Sequence, residues 1–224
     1  MKLLYCLILF LPVALSAQSF VYPTFNKTVR SMDELLPARW HIKDSVSGDL
    51  NKDGRADLAM VLEYADTVSE MRPDSMEIVN HPRLLLVLLR DSVTGGYRPV
   101  CQNNTFTIRE GEGGMVDDPY SPLAIRNNIL TVSIEFVRET VEYKFRWQKG
   151  DIYLIGASDY GINGVTGVSD GWEYNFSTNK AKHTWSKGFH LKEHVEWKTF
   201  APRAIRLRDM RQYGSIEIFE SVSI

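Results

Sequence analysis

The chain has 224 residues, of which 44% are hydrophobic and 24% charged; this excludes extended disorder and supplies apolar surface for one sizeable core or two small ones. A formal net charge of -2 gives none of the basic field that nucleic-acid binding requires, so nucleic acid is excluded as a partner.

The first residues, MKLLYCLILFLPVALSAQS, join Lys2 to an apolar run over 3–15 and to the small residues Ser16 and Ala17. That is the three-part layout of a secretory signal peptide. Cleavage is expected between Ala17 and Gln18, leaving a single all-β domain over 18–224 that is exported to the periplasm, the cell surface or the medium. The apolar run is short for a retained spanning helix, and no later stretch approaches the length, so no transmembrane segment is expected after signal removal. Removal of Cys6 leaves Cys101 alone in the mature chain, which rules out an intrachain disulfide. Cys101 reads as a buried small apolar residue at the end of a strand over 97–101.

From 18 to 46 the sequence is irregular, with Pro23 and Pro37 as breakers. SMDELLP at 31–37 predicts one or two helical turns, capped by Ser31 with Asp33 and Glu34 in the first turn. Trp40, Ile42 and Val46 alternate as a short strand.

The strand leads into GDLNKDGRADL at 48–58, which places Asp49, Asn51, Asp53 and Asp57 at loop positions 1, 3, 5 and 9. Calcium takes about six to eight oxygen ligands in a flexible shell. Alternate residues of a tight turn aim such oxygens inward, Gly54 at position 6 permits the bend, and Arg55 at position 7 offers its backbone carbonyl. The metal ligands expected for a Ca2+ ion are therefore Asp49, Asn51, Asp53, Arg55 and Asp57. Position 12, where a bidentate acid closes a sensor loop, is Met60. A structural ion held with roughly 0.1–1 mM affinity is the expectation. The competing reading is a bare turn whose Asp and Asn side chains bond their own backbone.

Beyond the loop, 58–64 (LAMVLEY) and 83–90 (RLLLVLLR) are apolar runs of strand length, fitting strands buried on both faces. The polar stretch 65–82, with Pro73 and Pro82, reads as a long loop. Gly95 and Gly96 turn the second run back into 97–101, and 123–127 pairs with 129–137 about Asn127 and Asn128. The clearest hairpin joins 141–148 to 151–156 through Lys149 and Gly150. A glycine-rich stretch over 160–171 precedes a turn at Thr178 and Asn179 between 172–176 and 181–185. Strands at 194–200 and 216–219 follow. Short strands punctuated by turns predict an all-β fold, an antiparallel sandwich or a partial propeller-like sheet with at most short helices.

Several smaller patterns carry weaker chemical readings. GVSDG at 167–171 matches a nucleophile elbow at Ser169, but strand-like WEYNF follows where a helix should begin, so the match reads as chance. His190 and His194 are four apart but lack the glutamate of a metalloprotease motif. Glu110, Glu112, Asp117 and Asp118 could offer two carboxylates for glycan chemistry. Tyr143, Trp147, Tyr153, Trp172, Tyr174, Trp185 and Trp197 could build a stacking face, although such residues more often fill a β core. Arg203, Arg206, Arg208 and Arg211 read as a solvated edge.

At DLNKDGRADL the chain resembles the calcium loops of FG-GAP and VCBS-like (integrin-type) modules, which read DxNxDGxxDL. In those modules the loop joins two strands and holds the ion through positions 1, 3, 5, 7 and 9, which implies the ligand set given above. The order of that loop, RLLLVLL, FRWQKGDIYLIG and EYNFSTNK resembles a set of exported Bacteroidetes-type proteins, which implies no activity. The leading expectation is thus an exported calcium-binding all-β module without enzymatic activity, serving an unknown extracellular or envelope ligand. The alternative is a secreted hydrolase acting on glycan or peptide through loops 65–82 and 110–122, and a third possibility is a subunit of a surface assembly.

Overall fold

The computed structural model describes residues 20–220 and 222–224, so the signal-peptide reading of 1–17 lies outside the described residues. In chain order the elements are α1 (Met32–Leu35), β1 (Trp40–Gly48), β2 (Asp57–Tyr64), β3 (Val68–Met71), β4 (Glu77–Asn80), β5 (Arg83–Arg90) and β6 (Tyr97–Asn103). They are followed by β7 (Ala124–Arg126), β8 (Ile129–Glu135), β9 (Glu139–Gln148), β10 (Asp151–Ile162), β11 (Val168–Asn175), β12 (Lys180–Lys187) and β13 (His194–Thr199). A short 3-10 turn at Leu207–Asp209 precedes the last pair, β14 (Glu217–Phe219) and β15 (Val222–Ser223).

Of the two expected architectures, the sandwich forms. A four-stranded sheet ordered β1-β2-β5-β6 packs against a seven-stranded sheet ordered β13-β12-β11-β10-β9-β8-β7, with every pairing antiparallel. The alternation of β5 explains its unbroken apolar run. Leu85, Val87 and Leu89 enter the core between the sheets, where they meet Val132, Val141 and Phe145. Leu84, Leu86 and Leu88 enter a second core on the opposite face. That face is covered by Leu35 of α1 and by Phe20, Tyr22, Phe25 and Val29. A strand between two apolar layers has no polar side to show, as the unbroken run predicts.

Local chemistry sets the corners. Ser31 caps α1 by accepting from the Glu34 amide. Lys149 and Gly150 both take positive φ (52° and 78°), as do Asn127 and Asn128 (52° and 63°), the condition for tight turns whose twist matches the flanking strands. Strand β10 runs to Ile162, well past the expected 156, because the residues before the 163–167 turn stay paired with both β9 and β11.

The expected long loop at 65–82 is a correction: it folds as the hairpin β3–β4. Its residues alternate without an apolar face, and Met71 and Val79 are exposed, so the segment carries no burial signal that periodicity could detect. Charge holds it instead. Arg72, buried, donates to Glu112 at 2.6 Å and to the Thr105 carbonyl at 3.0 Å. Arg109, also buried, reaches Glu70 of β3 at 3.3 Å and the Tyr22 hydroxyl at 2.9 Å.

Candidate functional site

The predicted calcium loop is the β1–β2 connection, at the seam where β1, the outer strand of one sheet, meets β7, the outer strand of the other. Two contacts join them. The Asn128 side-chain amide donates to the Asp49 carbonyl at 2.5 Å, and Gly48 passes so close to Ile125 that an added Cβ would lie 2.5 Å from Cγ2. Leu50, fully buried, anchors the loop in the main core.

Within the loop, Asp49 accepts from the amides of Lys52 (2.6 Å), Asp53 (3.2 Å) and Gly54 (3.0 Å), which wraps the turn around one carboxylate. Gly54 takes a φ of 78°, and Lys52, at 66°, shares the left-handed region that a side chain enters at some cost. The Asn51 carbonyl oxygen accepts from the Asp53 amide, while its NH2 donates to Asp53 Oδ2 at 3.1 Å. Asp53 Oδ1 accepts from the Arg55 amide at 2.9 Å. Asp49, Asn51 and Asp53 are thus brought together at the rim.

Asp57 is placed differently, behind the turn and fully buried. Its Oδ2 accepts from the amides of Leu50 (2.8 Å) and Asn51 (3.4 Å), and its Oδ1 from the amide of Arg90 on β5 (2.8 Å). Burial, opposed by those amides, holds its carboxyl above the ordinary value. The donor chemistry of the loop fits a hard cation, with three carboxylates, a side-chain amide and the Arg55 carbonyl. As drawn, however, no three His, Cys, Asp or Glu side chains among the described residues converge at metal-holding distance. The backbone-bonding alternative raised by the sequence describes the hydrogen bonds that are present.

A second site was not singled out as a unit by the sequence. Strand register places 139, 141 and 143 of β9, 161, 159 and 157 of β10, 170, 172 and 174 of β11, and 185, 183 and 181 of β12 on one face of the large sheet. At one end of that face Tyr143, Ala157, Tyr174 and Ala181 are core residues. At the other, Glu139, Asp159 and Asp170 stand beside a ladder of flat rings. Trp172 stacks on His183 with centroids 4.1 Å apart, His183 on Trp185 at 4.6 Å and Trp185 on His194 at 5.3 Å. His183 Nε2 meets Asp170 Oδ2 at 2.7 Å. Because the rings cover one another, the ladder is a wall and not the open stacking face that is the rarer of the two readings of these aromatics.

Asp159 is the electrostatic centre of this face. Burial, helped by the Glu139 and Asp170 charges and opposed by the Trp172 amide and His183, pushes its carboxyl up to about 6. Between its ordinary 3.8 and 6 the folded protein therefore holds a proton that the unfolded chain releases, so stability falls as pH rises through that window. Asp159→Asn keeps an acceptor for the Trp172 amide and removes the charge. It is expected to stabilise the protein by about 1–2 kcal/mol at pH 7.5, after discounting for partial exposure, and by nothing near pH 4. Urea unfolding at both pH values measures the difference.

The remaining candidates resolve simply. Ser169 is a buried residue of β11 paired with Ile162 and Ser186, without a strand-to-helix elbow. His190 sits in a turn at φ 60° and His194 opens β13, so they share no helical face. Loops 65–82 and 110–122 do meet, but Glu112 is held by Arg72, and Asp118 by Arg83 and Lys43. Trp197 alone among the tryptophans is largely exposed, at 66%. The four arginines are exposed, as a solvated edge requires, with Arg206 paired to Asp209 and Arg208 to Asp151. Cys101 is buried, and burial pushes its thiol up to about 12, which leaves it unreactive.

The fold and these sites define an antiparallel all-β sandwich with a carboxylate-rich loop at its seam and an acidic aromatic face. In comparisons with known proteins the chain matches no family model, no curated protein and no solved structure. No helix among the described residues is long and apolar enough to cross a membrane.

Proposed function

We propose that the protein is an exported binding or envelope-associated module whose sheet seam is stabilised by a calcium ion at Asp49, Asn51, Asp53, the Arg55 carbonyl and Asp57. The observation that carries this reading is the gathering of Asp49, Asn51 and Asp53 on one turn. Among the described residues their one ion pair is with the Arg55 guanidinium, 3.8 Å from Asp53. A cation there offsets the mutual repulsion of the carboxylates and stiffens the connection between the two sheets. Calcium supplies charge and coordination, and no chemical step. Asp49, Asn51 and Asp53 hold the ion at the rim, and Asp57, which also accepts the Leu50, Asn51 and Arg90 amides, completes the set from behind.

At roughly 0.1–1 mM affinity, about 10 mM calcium adds roughly 1.4–2.7 kcal/mol, which for a domain of this size raises the melting midpoint by about 3–10 °C. The comparison is between EGTA and calcium, with magnesium as control. Asp53→Ala, which removes an exposed side chain bonded only within the loop, is expected to abolish the rise while leaving the EGTA midpoint within about 1 °C. An unchanged midpoint in calcium would sink the ion reading.

A further inference from the structure

The acidic end of the large sheet has the features of a ligand site independent of the calcium loop. Glu139 on β9, Gly161 on β10 and Asp170 on β11 lie in one cross-strand row, and Asp159 lies in the next row, between Val141 and Trp172. Gly161 is the gap in the first row. A Cβ built there would find its nearest neighbour, the Arg138 carbonyl, 3.8 Å away, so open space separates Glu139 from Asp170 directly beside Asp159.

Two of the three carboxylates around this gap lack a cation. Among the described residues Glu139 and Asp159 join no ion pair, and Asp170 pairs only with His183. Glu139 instead accepts from the Tyr213 hydroxyl. Lys198 of β13 pairs with Glu196 and rests 5.3 Å over the Trp172 ring. One buried hydroxyl is also left over. Tyr174, 3% exposed, has no hydrogen-bond partner and feels the charges of Asp159 and Asp170. Tyr143, fully buried, feels those of Asp159 and Glu139 and is met by the Gly214 backbone. A buried polar group without a partner is costly, and a ligand at the acidic end of the face would supply one.

We propose that this notch binds an aliphatic ammonium group, seated at Gly161 between Glu139 and Asp170, with the carbon chain bearing it against Trp172 and Tyr213. Glu139 and Asp170 stand on strands two apart, about 9–10 Å, and Asp159 is the diagonal neighbour of each at about 7–8 Å, an open arrangement suited to an ammonium with three divergent N–H donors. An aromatic wall beside carboxylates is the recurring chemistry for organic cations. Asp159 contributes a linked signature. Its carboxyl is poised near 6, set by burial and by Glu139, Asp170 and His183, with the hydroxyls of Tyr143, Tyr174 and Tyr213 facing the same space. A cation bound there expels its proton.

The inference names a ligand for the binding module proposed above and rests on that half of it. Its test is run in EGTA, so it fails or stands separately from the calcium loop. The purified full-length mature protein is titrated at pH 6 with n-butylammonium and, as neutral analogue, n-butanol, by calorimetry in two buffers of different ionisation enthalpy. Glucosamine and Nα-acetyl-lysine amide then distinguish a sugar-borne from a peptide-borne ammonium. Expected are saturable binding of the ammonium at least about tenfold tighter than the alcohol, and net proton release. Gly161→Val, which fills the notch at a site with ordinary backbone and open space, should weaken binding by at least about tenfold with the melting midpoint retained. Asp170→Asn should do the same. Equal affinity for butanol, no binding of any ammonium, or undiminished binding by Gly161→Val would overturn the proposal.

Discussion

Replacing Asp57 with alanine is expected to cost about 3–5 kcal/mol in EGTA, before any ion is considered. The side chain is fully buried and its two oxygens serve three backbone amides, those of Leu50, Asn51 and Arg90. Removing it strands donors at the entry to the β1–β2 turn and on β5, at about 1–3 kcal/mol for each group that water cannot reach. For a domain of this size the melting midpoint should drop by about 6–20 °C. Asp57→Asn is informative because it keeps the shape while its NH2 faces donors it cannot accept from; a loss of about 2 kcal/mol or more is expected. If Asp57 served only as an ion ligand, both variants would match the parent in EGTA and differ only in calcium. Thermal melting with and without calcium separates the two roles.

Arg83→Met should be comparably costly, at about 3–5 kcal/mol. Arg83 is fully buried, grips Asp118 with two bonds of 2.8 and 2.7 Å, bonds Glu63 at 2.6 Å and donates to the Ile108 carbonyl at 2.9 Å. It thereby ties β5 to β2 and to the 104–123 segment. Removing the guanidinium leaves two carboxylates facing each other, with Lys43, 2.9 Å from Asp118 and 3.4 Å from Glu63, and, where protonated, His41, 3.4 Å from Glu63, as their remaining cations. The pH signature follows from the carboxylates. Burial raises Asp118, but Arg83 and Lys43 outweigh it and bring the carboxyl to about 2; Glu63 is lowered by the same partners. Stability from a lowered carboxylate is present above its unfolded value and lost as pH falls through the folded one. The gap between parent and Arg83→Met should therefore narrow as pH falls from about 4 to about 2. A deficit constant across that range would show that Arg83 acts by packing alone.

Strand positions were legible wherever one strong local rule operated. RLLLVLLR had to be buried on both faces because nothing in it is polar between its terminal arginines, and the positive-φ pairs at Asn127–Asn128 and Lys149–Gly150 reported their own turns. The β3–β4 hairpin was not legible, because its cohesion comes from Arg72 and Arg109 reaching residues distant in sequence. Those arginines look like any surface arginine in a one-dimensional reading. The calcium loop was legible as a pattern of residue types. Whether Asp57 faces an ion or three amides depends on the approach of β5, which no spacing rule contains.

The acidic face shows the same limit more sharply. Asp159, Glu139 and Asp170 are spread over three strands, and each is an ordinary polar residue at an alternating position. The one local hint was Gly161, an interruption in a strand where a side chain should stand. What the sequence by itself determined is the all-β class, the hairpin corners and the carboxylate-rich turn, because these follow from backbone preferences and burial periods that act over a few residues. What only the tertiary structure decided is which side chains meet: the buried arginine clamps, the Asp57 clamp, and the notch at Gly161. Such meetings are set by strand register and sheet stacking, where a shift of one residue turns every side chain to the opposite face.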